Sequence, residues 1–268
     1  MTDLDLLLGG GGRDAARHNA AAWDRLARKG AALARPATDD EFAAPLAVLD
    51  PLGWLGDVRG QRLLCLAAGG GRQSALYAAA GAVVTVVDAS SEMLALDRRV
   101  ARDRGLSVRV IQASMESLPM LAAGEFDAVV QPVSTCYVPD VQPVFREVAR
   151  VLRPGGVYVS QHKSPVNLQA TLTPGPQGYA LVEPYYRQGP LPAASVAGSR
   201  LRESGTREFL HRLEELIGGV CRAGFVIEDF VEPVHAQRDA AVGSHGHRGQ
   251  YVAPYVRIKA RRRSELER

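Results

Sequence analysis

The 268-residue chain has little of several things, and each shortage excludes a class of protein. It holds three cysteines, Cys65, Cys136 and Cys221, far apart and without metal-ligand spacing, so no metal site is expected. Their odd number argues against a disulfide framework and fits a reducing compartment. No apolar run approaches the length of a membrane span. The leucines of residues 4–8 make too short a stretch, and follow acids, to read as a secretion signal. Charge of one sign is also missing, because a formal net charge of +3 is too small and too scattered for a nucleic-acid surface. We therefore expect a cytoplasmic protein with no membrane and no nucleic-acid partner. What the chain does have is 46% hydrophobic residues, enough to bury a sizeable core.

The stretch that organises the rest is residues 63–88, LLCLAAGGGRQSALYAAAGAVVTVVD. An uncharged apolar run, residues 63–68, reads as a strand buried on both faces of a parallel sheet. Gly69, Gly70 and Gly71 follow, then a helical segment over 73–80 that Gly81 stops. A second apolar run, 82–87, ends on the lone acid Asp88. Glycines at such a turn tolerate positive φ and let a ligand approach the backbone, while N–H groups at the start of the helix suit an anionic group. A carboxylate about 20 residues beyond the glycines is placed to accept hydrogen bonds from a ribose. The unit therefore reads as a binder of an adenosine-like ligand. Ser74 stands where the third glycine of a dinucleotide fingerprint belongs, which disfavours a nicotinamide or flavin cofactor.

Further along, helical segments at 91–104 and 141–152 alternate with short apolar strands at 108–113, 126–131 and 157–161. Ser90 reads as the N-cap of the first of these helices. The alternation predicts an α/β fold with a doubly wound sheet. Residues 1–12 end in four glycines and read as mobile, and residues 13–29 have the spacing of an amphipathic helix that includes Trp23. Residues 162–204 break the rhythm with proline, glycine and three tyrosines, Tyr179, Tyr185 and Tyr186, and read as a folded lid. A helix over 208–223, a strand over 225–231, a polar loop over 232–249 and a last strand over 251–260 complete the expectation.

Four ordered blocks resemble one known family. LLCLAAGGG, VDASSEML, FDAVVQPVS and REVARVLRPGGVYVS are similar to successive motifs of the class I S-adenosylmethionine-dependent methyltransferases, in a branch that acts on small molecules. The resemblance implies a seven-stranded, mostly parallel sheet, an N-terminal helical cap over 1–60, and a core over 61–268 with the lid inserted at 162–206. It implies S-adenosylmethionine as cofactor. Ala67, Gly69 and Gly71 would meet its methionine half, Asp88 its ribose, and Ala89 and Met93 its adenine. Ser114 and Met115 would lie at the adenine's edge, Gln131 near the methyl-bearing end, and Trp23 on the covering helix. The chain departs from the family's pattern in three places: Cys65 replaces an acid, Ala67 a glycine, and Ser114 the acid that reads the adenine amino group.

On the acceptor side, His162 follows the fifth strand and His211 lies in the helix expected after the lid, and either is a candidate general base. Tyr137, Tyr185 and Tyr186 are candidates for an aromatic wall against the substrate, and Cys136 reads as packing. Two rival readings stay open at this point. One is a protein that binds the same cofactor for a structural or regulatory purpose or a methyl-independent reaction. The other is the disfavoured nicotinamide oxidoreductase.

Overall fold

The computed structural model describes residues 10–194 and 202–264. Residues 1–9, most of the start expected to be mobile, and residues 195–201 of the expected lid lie outside them. The centre is one seven-stranded sheet of β1 (Arg62–Leu66), β2 (Val83–Asp88), β3 (Val108–Gln112), β4 (Phe126–Gln131), β5 (Leu152–Lys163), β6 (Phe225–Val231) and β7 (Tyr255–Arg262). Their order is β3-β2-β1-β4-β5-β7-β6. β7 pairs antiparallel with both β5 and β6, and the pairs among β1 to β5 are parallel. The mostly parallel, doubly wound sheet expected from the sequence is present.

Alternation builds two cores. Leu64 and Leu66 of β1 face one side, with Val129, Tyr158, Phe145 and Phe225. Leu63 and Cys65 face the other, with Val84, Val86, Val130 and Tyr77. Period-two geometry sends successive strand residues to opposite faces, so a run apolar at every position needs a layer on each side. α4 (Gln73–Ala79) and α5 (Ser91–Asp103) supply one layer, and α6 (Gln142–Val151) the other. Order reverses between β1 and β4, and the carboxyl ends there open a crevice outside the sheet.

α1 (Gly10–Arg28), α2 (Asp39–Ala43) and α3 (Pro45–Leu49) lie over that crevice. Asp24 of α1 accepts the Ser90 hydroxyl at 2.6 Å and the Glu92 amide at 3.1 Å, while Ser90 caps α5 by accepting from the Met93 amide. Glu41 of α2 accepts from Arg72 at 2.6 Å, tying the cap to the start of α4.

Three expectations change. Residues 208–212 are extended, not helical, and the backbone coils only from Leu213 into a π-helical turn, Glu214–Gly218, and α8 (Gly219–Arg222). The reason is that the Glu208 carboxylate is drawn into the interior by Lys163 and Arg202, and the Phe209 amide donates to the Cys136 carbonyl. The last strand begins at Tyr255, just after Pro254, which has no N–H for a ladder. Within the lid, α7 (Pro165–Gln169) is folded and mostly buried, and the loop over 232–249 holds a short helix, α9 (His245–Arg248). No helix among the described residues is long and apolar enough to cross a membrane.

Candidate active site

A cavity of about 580 Å³ occupies the crevice. One half is built by the glycine turn. Gly69 donates its amide to Asp88 Oδ2 at 2.9 Å, and Asp88 Oδ1 accepts the Ser90 amide at 2.8 Å. Gly70 and Gly71 donate theirs, at 2.9 and 3.1 Å, to the two oxygens of Asp97, and Ser74 adds its hydroxyl to the same carboxylate. The amides of the three glycines are thus taken by protein carboxylates. Asp97 is fully buried, and burial pushes its carboxyl up to about 6 against the donors that favour the charge. Burial also raises the Asp88 carboxyl.

The glycines are required by packing. A Cβ on Gly71, whose φ is +72°, would sit 2.8 Å from Val100 and 2.9 Å from the Leu96 carbonyl. A Cβ on Gly69 would sit 2.8 Å from the Met93 Cβ and 3.0 Å from Asp88 Oδ2. Ala67 carries a φ of +49°, the one positive φ outside glycine among the described residues. A left-handed alanine costs roughly 1–2 kcal/mol, and the Ala67 amide held by Val87 O at 2.7 Å helps to keep it there.

Asp88, Ala67, Gly69 and Trp23 all reach the cavity wall, as do Ala89, Met93, Ser114 and Met115. Gln131 and Tyr137 line it too. Gln131 is fixed from both sides, its amide donating to Ser134 at 2.9 Å and its carbonyl accepting from Tyr158. Trp23 meets Tyr137 edge-on at 5.8 Å between ring centres. Asn19 of α1 donates to the Tyr137 and Arg207 carbonyls at 2.9 and 3.0 Å and accepts the Arg207 amide at 2.7 Å, which fastens the cap.

The remaining candidates stand elsewhere. Gly71 lies behind the turn against α5, while Gly70, not singled out from the sequence, lines the cavity. His162 is buried between Thr135 Oγ1 and Ser160 Oγ, each 2.8 Å from one ring nitrogen, and is not on the wall. Burial, with His211 nearby, lowers its pKa to about 3. His211 Nε2 lies 3.0 Å from two carbonyls, Thr135 O and Val138 O, which both accept from one N–H, and burial depresses this ring as well. Tyr186 is 75% exposed under Arg212, and the Tyr185 hydroxyl accepts the Leu213 amide at 3.3 Å, so neither tyrosine walls the cavity. Cys136 is buried, and burial raises its thiol pKa. Among the described residues no three of His, Cys, Asp and Glu gather as a metal site.

Sequence reasoning missed the polar cluster beyond Tyr137. Lys163 Nζ donates to Glu203 Oε2 at 2.7 Å and Glu208 Oε1 at 2.6 Å, and the Tyr137 hydroxyl donates to Glu203 Oε2 at 2.7 Å. Burial works against charge on Glu203, but the Lys163 ammonium and the donors around it outweigh that and hold the carboxyl below the usual carboxylate range. Glu203 reaches the cavity, as do Gln161, Tyr255 and Arg257. Asp97 carried a legible signal: it lies on the buried stripe of α5 with Met93, Leu94, Val100 and Ala101, where an acid needs partners. Glu203 carried none, because its partner lies 40 residues away in the chain.

The residues fit an adenosyl cofactor. Each oxygen of Asp88 accepts one backbone amide and keeps a lone pair for a vicinal hydroxyl. Ala89, Met93 and Met115 line the cavity beside Ser114, an apolar stretch of wall that suits a flat ring. Comparison with known proteins agrees. Residues 64–160 match the family model of a methyltransferase domain. The protein named uncharacterized methyltransferase YbaJ of Bacillus subtilis (strain 168) is 33% identical over 229 residues, 80% of this chain and 89% of that one. The ubiquinone biosynthesis O-methyltransferase of Bordetella avium (strain 197N) is 30% identical over 184 residues, 63% of this chain and 76% of that one. The solved S-adenosylmethionine-dependent methyltransferase from Mesorhizobium loti shares the fold, with a TM-score of 0.65 over 82% of this chain and 100% of that one at 23% identity.

Proposed function

The chain belongs to the class I S-adenosylmethionine-dependent methyltransferases, and from that premise we propose that it methylates a small organic acceptor in the cavity that holds the cofactor. The observation that carries the acceptor is the cavity's second half. Beyond the glycine turn its lining continues to Trp54, Tyr77, Val159 and Tyr255. A concave cavity of about 580 Å³ suits a small molecule better than a polymer.

S-adenosylmethionine, when bound, supplies a methyl group already activated by a positively charged sulfur. The protein's own contribution is then position, exclusion of water and management of the acceptor's proton. In this reading Asp88 takes the ribose hydroxyls, and the apolar wall of Ala89, Met93 and Met115 takes the adenine. Gln131, held by Tyr158 and Ser134, presents a fixed polar edge at the carboxyl end of β4. Trp23 and Tyr137 shield the centre of the cavity. The Glu203 carboxylate is the acceptor-side group that can take a hydrogen bond from an O–H or N–H. Its low pKa makes it a holder of that proton's hydrogen bond rather than a base that removes the proton at neutral pH. His162 and His211 are not assigned as bases in this proposal, since both are buried and hydrogen-bonded away from the wall.

Calorimetric titration tests the site. S-adenosylmethionine and S-adenosylhomocysteine are expected to bind, NAD(P)H is not, and Asp88→Ala is expected to lose most of the affinity. Unchanged binding by Asp88→Ala would remove Asp88 from the site. A screen of small O-, N- and C-nucleophiles for S-adenosylhomocysteine release then tests the acceptor class, and turnover only on a polymer would overturn it.

A further inference from the structure

We infer that the acceptor carries an anionic group, a carboxylate or a phosphate ester, and that Arg257 receives it. The inference rests on the small-acceptor reading above. Arg257 sits on β7 opposite Gln161 of β5, in the register pair Gln161↔Arg257. On the neighbouring strands Gln131 pairs with Ser160, so Arg257 stands one residue beyond the level of Gln131 at the open end of the sheet. The burial of β7 alternates, with Val256 and Ile258 facing the core while Tyr255 and Arg257 face the cavity.

The guanidinium is held but not neutralised. Its Nε donates to Gln161 Oε1 at 2.7 Å, which fixes the plane of the fork. Among the described residues no carboxylate lies within ion-pair distance of Arg257. Other charged groups on the wall are matched. Arg72 is paired with Glu41, and Asp88 accepts two amides. Asp50 accepts the Trp54 and Leu55 amides at 2.9 and 2.8 Å, and Glu203 holds Lys163 and Tyr137. Arg35 also makes no ion pair among the described residues, but it is exposed to solvent. Arg257 is half-buried beside Tyr77, Val159 and Tyr255. With Nε held by Gln161, the fork's two Nη groups favour a ligand with a pair or triad of anionic oxygens.

Position separates this group from the cofactor. β1, β4, β5 and β7 are successive strands, so roughly 14 Å lies between the strand that leads into the glycine turn and the strand that carries Arg257. The cation therefore addresses the far half of the chamber. A bidentate pairing there would fix one end of the acceptor and leave its other end toward Gln131 and Glu203.

The test begins with calorimetric titration of S-adenosylhomocysteine, and failure at that step would count against the cofactor site and not against Arg257. The saturated complex is then titrated with benzoate, phenyl phosphate and neutral benzamide. At least one acid is expected to bind roughly tenfold or more tighter than benzamide. Which acid binds better distinguishes a carboxylate from a phosphate ester. Arg257→Gln is expected to erase the preference for the acid while leaving the affinity for S-adenosylhomocysteine unchanged, and Arg257→Lys to recover part of it. Equal binding of benzamide and the acids, no saturable binding of either acid, or an undiminished preference in Arg257→Gln would each overturn the inference. So would a variant that loses S-adenosylhomocysteine instead, since that would place Arg257 on the cofactor.

Discussion

The Ser74 hydroxyl and the Asp97 carboxylate meet beneath the glycine turn, and the same carboxylate accepts the amides of Gly70 and Gly71. Ser74, the residue that departs from the dinucleotide fingerprint, is therefore a positive feature of this turn. Asp97 is a positioning residue that lies outside the cavity lining yet sets the shape of the wall. An Asn in its place has one acceptor oxygen and would set an NH₂ against one of the glycine amides. We expect Asp97→Asn to weaken S-adenosylhomocysteine binding roughly tenfold or more, since an orphaned buried donor costs about 1–3 kcal/mol. Calorimetry checks it, and an unchanged affinity would mean the turn holds its shape without Asp97.

Asp97 also predicts a pH dependence. Its pKa is raised in the folded state from 3.8 to about 6, with burial as the main cause. A raised carboxyl binds more protons folded than unfolded, so its contribution to stability is greatest below 3.8 and is lost as pH rises to about 6. The stability margin of wild type over Asp97→Asn is expected to shrink across that window by on the order of 3 kcal/mol. Urea unfolding of both proteins across the window measures the margin, and a margin that grows with pH would contradict the assignment.

The buried ion cluster makes a third prediction. The side chains of Lys163 and Glu208 are 1% and 0% exposed. Lys163→Met leaves Glu203 and Glu208 without their shared cation and is expected to cost roughly 3–5 kcal/mol. Adding Glu208→Gln to that variant should recover part of the loss. Chemical denaturation of the single and double variants reads the coupling, and additive losses would show that the pair is not a unit.

The histidines give a fourth. Burial holds His162 far below its ordinary pKa and lowers His211 too. The His162 ring is not expected to charge between about pH 5 and 8, the range in which a free imidazole titrates. Ring-proton shifts followed by NMR should stay flat for His162 across that range, and any titration of His211 should fall below the ordinary 6.5. A midpoint near 6.5 for either would restore it as a candidate base.

The tyrosines divide. Tyr186→Ala is expected to change stability by no more than about 0.5 kcal/mol and leave S-adenosylhomocysteine binding intact, because the ring is exposed. Tyr137→Phe removes the hydroxyl that donates to Glu203 and is expected to cost about 1–3 kcal/mol. Thermal unfolding ranks the two, and equal effects would mean the Tyr137–Glu203 bond contributes nothing.

What the sequence determined by itself is whatever depends on neighbours along the chain. The apolar runs of β1, β2 and β4, the glycine turn, the Ser90 cap and the acid ending β2 were all legible, because strand burial, positive φ and helix capping are set within a few residues. The same local pattern placed the run from Ala67 to Gln131 that lines one end of the cavity. Only the tertiary structure decided what faces what across long separations. Lys163 pulls Glu208 inward and keeps residues 208–212 extended where their periodicity suggested a helix. His162 and Arg257 stand on neighbouring strands near the same end of the sheet. Yet alternation turns the histidine into the core, between Thr135 and Ser160, and the arginine toward the cavity. A one-residue change of register would exchange such fates, because side chains in a strand alternate faces with a period of two. Register belongs to the pairing of strands nearly a hundred residues apart, not to either strand alone.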